Sequence, residues 1–123
     1  MDKIFEDKRA VILKKILDLT AMNQKVIANN IANVETPGFI AKKLNFNEAL
    51  KQAVESGDLQ RIESVTASIS DNYDSPFRMD MNNVDMEKEL VAMEENRTNY
   101  ELAATLLKKR LVHWREVFEN VKN

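Results

Sequence analysis

VDMEKELVAMEENRTNYELAATLLKKRLVHWREVFENV, residues 84–121, contains neither glycine nor proline. Within it Met86, Leu90, Met93, Arg97, Tyr100, Ala104, Leu107, Leu111, Trp114, Phe118 and Val121 follow one another at alternating steps of 4 and 3. All but Arg97 are apolar, which is the seam of a helix packed lengthwise against another helix. Asp85, Glu87 and Glu89 fall in the first turns, where the helix dipole favours anions. A helix over residues 85–121 is roughly 55 Å long.

A helix of that length needs a partner, and the other end of the chain offers one. Leu13, Leu17, Thr20, Gln24, Ile27, Ile31 and Val34 repeat the same spacing, and Ile12, Ile16 and Leu19 widen the apolar face. The spacing predicts a helix from about Asp7 to Val34, roughly 42 Å long. Pro37 ends it, because its ring forbids continuation and pushes Thr36 toward extended geometry. Pro37-Gly38 suits the centre of a type II turn, where Gly accepts a positive φ.

The fold class expected is all-α dominated: two long terminal helices paired as an antiparallel coiled coil, with a short middle helix and a loop or weak β segment. The 123 residues make one domain, divided into an N-terminal helix segment 1–36, a middle 37–84 and a C-terminal helix segment 85–123. Asn45 with Glu48 resembles a capping box for a helix near Asn45–Ser56, with Phe46, Leu50 and Val54 as its stripe and Gly57 just past its end. Residues 58–82 are sparse in apolar side chains. They are expected to form a loop in which Ile62, Val65, Ala67 and Ile69 support one or two short strands, or a segment ordered only by a partner. One helix pair cannot cover both sides of either helix, so the remaining apolar surface is expected to be completed by neighbours. A compact three-helix bundle is the alternative.

Composition excludes several classes. There is no cysteine, hence no disulfide or Cys-based metal site, and a single histidine, His113. Glu94 and Glu95 are adjacent and point to different helix faces, which is poor geometry for paired-carboxylate catalysis. With glycine only at 38 and 57 there is no phosphate loop. No run reaches the ~18 apolar residues of a membrane span. MDKIFEDKRA, residues 1–10, has no apolar core of a cleavable signal. No cofactor, metal, catalytic residue or small-molecule substrate is expected. Lys108-Lys109-Arg110 with Arg115 suits a helix C-terminus better than nucleic acid, because the chain is net −2. Charge is unevenly spread: 8 basic and 5 acidic side chains in residues 1–45, 5 and 13 in 46–101, 5 and 2 in 102–123. The basic ends can attract the acidic middle, within a chain or between chains.

The first helix ends in NNIANVETPGF, residues 29–39. Asn is a weak helix former, so Asn23, Asn29, Asn30 and Asn33 lower helix propensity. Beside the Ile27–Ile31–Val34 seam they suit a register device at a helix–helix contact; solvated side chains at a frayed end are the alternative.

Asn29, Asn30, Ile31, Ala32, Asn33, Thr36, Pro37, Gly38 and Phe39 resemble the N-terminal signature of bacterial flagellar rod, hook and hook-associated proteins. A chain of 123 residues leaves no room for the large outer domains of hook or distal-rod proteins. Asn82-Asn83-Val84-Asp85-Met86-Glu87-Lys88-Glu89-Leu90, then Met93, Glu95-Asn96 and Tyr100, are similar to the C-terminal pattern of the FlgB-type family of proximal-rod subunits; the FlgC-type rod subunit matches less well. The pattern has Gly before Asn82, where this chain has Met81.

The resemblance implies a structural, non-enzymatic subunit of the proximal rod that polymerises through both terminal helices into a torque-transmitting tube. It implies residence in the periplasmic rod of the basal body, after export by the flagellar type III apparatus without a cleavable signal. The partners it implies are further copies of the chain, other rod proteins, and the FliE adaptor at the membrane–supramembrane ring. The assembly seam expected comprises Leu13, Leu17, Ile27, Ile31 and Val34 with Met86, Leu90, Met93, Tyr100, Leu107, Leu111, Trp114 and Phe118. A soluble helical export chaperone or adaptor is the competing reading.

Overall fold

The computed structural model describes residues 7–122. Residues 1–6, which the sequence assigns to the N-terminal segment, and Asn123 lie outside the described residues. The order of elements is α1 (Lys8–Ala32), β1 (Lys42–Asn45), α2 (Asn47–Ser56), α3 (Leu59–Glu63), β2 (Ser68–Asp71) and α4 (Met86–Lys122).

Helix α1 begins where Asp7 Oδ1 accepts the N–H groups of Arg9 at 3.0 Å and Ala10 at 3.5 Å, satisfying two of the donors a helix start leaves free. It stops at Ala32, two residues before the expected Val34. Asn33 is the cap: its N–H reaches Asn29 O and Asn30 O at 3.1 Å each, and its side-chain Nδ2 donates back to Asn29 O at 2.8 Å. The 37-residue α4 matches the expected uninterrupted helix, roughly 55 Å long.

The two long helices pack together and run antiparallel. Asp7 meets Arg110 and Trp114, Thr20 and Gln24 meet Asn96, and Asn30 meets Glu89. The line of α4 that faces α1 differs from the expected one. Its buried residues are Glu89, Asn96 and Ala103, seven apart, and the row continues to Arg110. Met93, Leu107 and Trp114 flank this line half-buried, whereas Leu90, Leu111 and Phe118 are 49%, 48% and 52% exposed. The contact is thus rotated by one residue away from the expected seam. The cause is the opposing surface: α1 presents the Thr20 carbonyl, Asn23, Gln24 and Asn30 there, so hydrogen-bonding side chains of α4 satisfy it better than leucines.

The middle segment covers another side of α1. Leu19, Ala53, Ile62 and Val65 form a buried cluster, with Val11, Ile12, Phe46, Leu50 and Ala67 packed against it. The expected loop over residues 58–82 therefore carries defined structure in the single chain: Ile62 sits on α3, and Ile69 lies on β2 with 62% exposure. Strand β2 pairs antiparallel with β1, Lys42 opposite Asp71 and Asn45 opposite Ser68. The capping box at Asn45 does not form, because Asn45 is part of β1 and its Nδ2 donates to Ser70 Oγ; α2 starts instead after Phe46 without a side-chain cap. Gly57 ends α2 at φ 70 with its N–H on Val54 O, as expected. The short α2 leaves the outer side of α4 open, so the helices do not close into a compact three-helix bundle.

Candidate functional site

The two asparagine-rich motifs meet. After α1 the chain turns at Thr36-Pro37-Gly38-Phe39, where Phe39 N donates to Thr36 O at 3.2 Å and Gly38 takes φ 76. A Cβ at Gly38 would meet no atom within 4 Å, so the requirement for glycine is one of backbone conformation. Thr36 Oγ1 donates to Asn33 Oδ1 at 3.1 Å, tying the turn to the helix cap.

Asn82 and Asn83 hold this turn from the other motif. Asn82 is fully buried; its Nδ2 donates to Asn33 O and Thr36 O, both at 2.8 Å, and its Oδ1 accepts from Val84 N at 2.8 Å. Asn83 Oδ1 accepts from Ala41 N at 2.7 Å, and its Nδ2 donates to Asn72 O at 2.7 Å. Gly38 N donates to Asp80 O at 2.8 Å. Arg78 bridges both sides, with its guanidinium on Val84 O at 2.7 Å and on Val34 O. Each side-chain amide caps backbone groups that turns leave free, which is what keeps irregular backbone stable when buried.

Asn30 works in the same way one turn earlier. Its Oδ1 accepts from Lys42 N at 2.9 Å and its Nδ2 donates to Lys42 O at 2.8 Å, so one amide replaces a neighbouring strand at β1. The same Nδ2 reaches Glu89 Oε1 at 3.1 Å. Burial raises the Glu89 carboxyl above its ordinary pKa; the Asn30 bond opposes the rise and the Asp85 charge adds to it. Asn33 is not placed between helices: it caps its own helix.

Further along, Asn96 Nδ2 donates to Thr20 O and Gln24 Oε1 at 2.8 Å each, and Asn23 Nδ2 donates to Asn96 Oδ1 at 2.9 Å. At the far end Asp7 Oδ2 accepts from Trp114 Nε1 at 2.7 Å and from Arg110 Nε at 3.0 Å. Burial pushes the Asp7 carboxyl up, but the bonds from Trp114, Arg110 and Ala10 and the Arg110 charge outweigh it and hold it below its ordinary value. A helix start near Asp7 is legible in sequence; its capping role and its bonds to residues more than 100 positions away are not. No buried side-chain nitrogen or oxygen among the described residues lacks a partner.

Of the remaining expected site residues, Ile27, Asn83, Val84, Glu89 and Asn96 are buried. Leu13, Leu17, Ile31, Val34, Phe39, Asp85, Met86, Met93, Leu107 and Trp114 are half-buried. Asn29, Ala32, Thr36, Pro37, Tyr100, Leu90, Leu111 and Phe118 are exposed. Arg78, to which no sequence motif points, is central to the junction, as is Asn82 of the C-terminal pattern. Met81 has φ 64, a conformation that favours glycine, at the position where the family resemblance leads to an expected Gly. It closes a turn in which Met81 N donates to Arg78 O at 3.0 Å and Arg78 N to Asn82 O at 2.8 Å.

Among the described residues no cluster of His, Asp and Glu side chains could hold a metal ion. No helix there is long and apolar enough to cross a membrane. The arrangement fixes backbone geometry and offers surface.

Residues 17–39 match the family model described as flagella basal body rod protein. The chain is 38% identical over 100 residues to flagellar basal body rod protein FlgB of Bacillus subtilis (strain 168), covering 72% of this chain and 76% of that one. It is 32% identical over 111 residues to the protein of the same name from Yersinia enterocolitica, covering 76% and 81%. With that of Escherichia coli (strain K12) the identity is 27% over 111 residues, covering 76% and 80%.

Proposed function

Because this chain belongs to the flagellar basal body rod protein family and is a structural rod subunit, not an enzyme, we propose that it builds the proximal rod through lateral contacts of its two long helices. The observation that carries this is the outer side of α4. Leu90, Leu111 and Phe118, members of the expected row, are all exposed on a helix whose other side is hydrogen-bonded to α1. Extended apolar surface of this kind marks an interaction site. In the assembled rod the expected row of α4, apolar except at Arg97, packs as a coiled coil with helices of neighbouring copies. The stiffness that torque transmission requires comes from helices held at both ends, by the motif junction and by Asp7–Arg110.

Self-association, the other rod proteins, the FliE adaptor and the membrane–supramembrane ring are the partners. Delivery is by the flagellar type III export apparatus to the periplasmic rod. The relatives carry the FlgB name, which favours that type over FlgC.

The test is fractionation of flagellated cells carrying a tagged chain. The chain should co-purify with basal bodies stripped of hook and filament. A chain that stays in the cytosol bound to an export substrate would make it a chaperone or adaptor instead.

A further inference from the structure

A groove of about 490 Å³ runs between α1, α4 and the corner where β1 passes into α2. Its apolar surface comes from Leu13, Ile16, Leu44, Phe46, Leu50 and Leu106. Among the described residues, the only charged side chain on its wall is that of Glu95, and the cleft adjoining it beyond Phe46 adds Glu48. We propose that this groove receives the C-terminal end of α4 from a second copy of the chain, an inference that rests on the rod-subunit reading and names the contact that reading leaves open.

The end of α4 has the complementary character. Lys108, Leu111, Arg115 and Phe118 are spaced 3, 4 and 3, which places them on one helix face, apolar side chains alternating with cations. Leu111 and Phe118, seven residues apart, are 48% and 52% exposed, and Val121 is 81% exposed. Anchors at such intervals are how an amphipathic helix seats in a groove. Residues 102–123 carry five basic and two acidic side chains, whereas residues 46–101, which supply much of the groove, carry five and thirteen.

The tail cannot fill its own groove. The groove is lined by Ala92 to Leu106 of the same unbroken helix, and Phe118 lies roughly 18 Å beyond Leu106 along it. Two tails do not suit each other, because each would bring an excess of cations to the other. Tail into groove uses different surfaces on the two copies, and such heterologous contacts extend into open helical assemblies.

The chain has no cysteine, so single cysteines can report the contact. Full-length Asn99→Cys, at the groove rim, and Val121→Cys, on the tail, are purified, mixed at millimolar concentration and oxidised. A disulfide dimer containing one of each is expected to dominate. Phe118→Ser in the Val121→Cys chain, or Glu95→Lys in the Asn99→Cys chain, should lower its yield at least fivefold with helicity by circular dichroism unchanged. Absence of the mixed dimer overturns the proposal. So does a Val121→Cys homodimer forming equally well, or a mixed dimer indifferent to Phe118→Ser. Presence of the wild-type chain in purified basal bodies is measured alongside: a chain found there without the mixed dimer retains the rod reading and loses this contact, and a chain absent from them loses the rod reading itself.

Discussion

The junction of the two motifs and the outer side of α4 are built on opposite principles. At the junction the side-chain amides that hold the turn are buried and paired: Asn30, Asn82 and Asn83 are at most 2% exposed, and each holds backbone from a distant part of the chain. On the outer side of α4 large apolar side chains stand in solvent. The first surface is complete within one molecule and is costly to disturb, because a lost amide leaves several buried groups unpaired. The second costs little to alter in the isolated chain, and its apolar area becomes valuable only when another molecule covers it. Stability and assembly are therefore written into different residues, and mutations can separate them.

The largest expected effect is at the junction. Asn82→Ala removes three hydrogen bonds and leaves Asn33 O, Thr36 O and Val84 N without that partner, at about 3–5 kcal/mol. Urea denaturation should show this as a large fall in midpoint. A change under about 1 kcal/mol would mean that the junction does not stabilise the chain.

Asp7→Ala comes next. It removes a helix cap and leaves Arg110 and Trp114 without their acceptor, at about 2–3 kcal/mol. The sign with pH follows from the lowered carboxyl. The stability Asp7 contributes is fully present above its unfolded pKa of about 3.9 and is lost as pH falls through its lower folded value. Asp7→Asn should flatten that acid limb in a melting-temperature profile while retaining a capping oxygen. An unchanged acid limb would locate the titration elsewhere.

Met81→Gly should act in the opposite direction. The non-glycine residue at φ 64 costs on the order of 1 kcal/mol or more, partly offset in the variant by glycine's greater freedom when unfolded. A net gain of up to about 1 kcal/mol is expected by denaturation, and a loss would show that the Met81 side chain contributes contacts that outweigh the strain.

The smallest change in stability should come from Leu111→Ala. At 48% exposure it should cost less than about 1 kcal/mol, against the roughly 2–5 kcal/mol of a buried leucine. Its effect belongs to assembly: the purified chain should melt almost normally while cells carrying only this variant lose motility. Normal swimming, or a melt lowered as far as that of Asn82→Ala, would abolish the distinction between the two regions.

Much of this architecture was legible because its signals are local. Pro37 and Gly38 announce the turn, the absence of breakers announces α4, and Gly57 marks the end of α2, each through backbone conformation that one or two residues control. At Met81, where the family resemblance leads to an expected glycine, the turn forms nonetheless, with the non-glycine residue at φ 64. Strand β1 was not legible. KKLN has no strong strand propensity, and it is held by Asn30 and by pairing with residues 68–71, both distant in sequence. Propensity cannot report a partner that only folding brings close.

The helix-facing side of α4 gives the sharpest division. The sequence by itself determined two long helices, their antiparallel pairing and the turn at Pro37-Gly38. Only the tertiary structure decided which side of α4 turns toward α1. Apolar spacing identifies a stripe that avoids water, but it does not say whether the chain itself or a neighbour will cover it. That choice fell to hydrogen bonds: the polar groups of α1 had to be satisfied, so Glu89, Asn96 and Arg110 turned inward and Leu90, Leu111 and Phe118 were left outside.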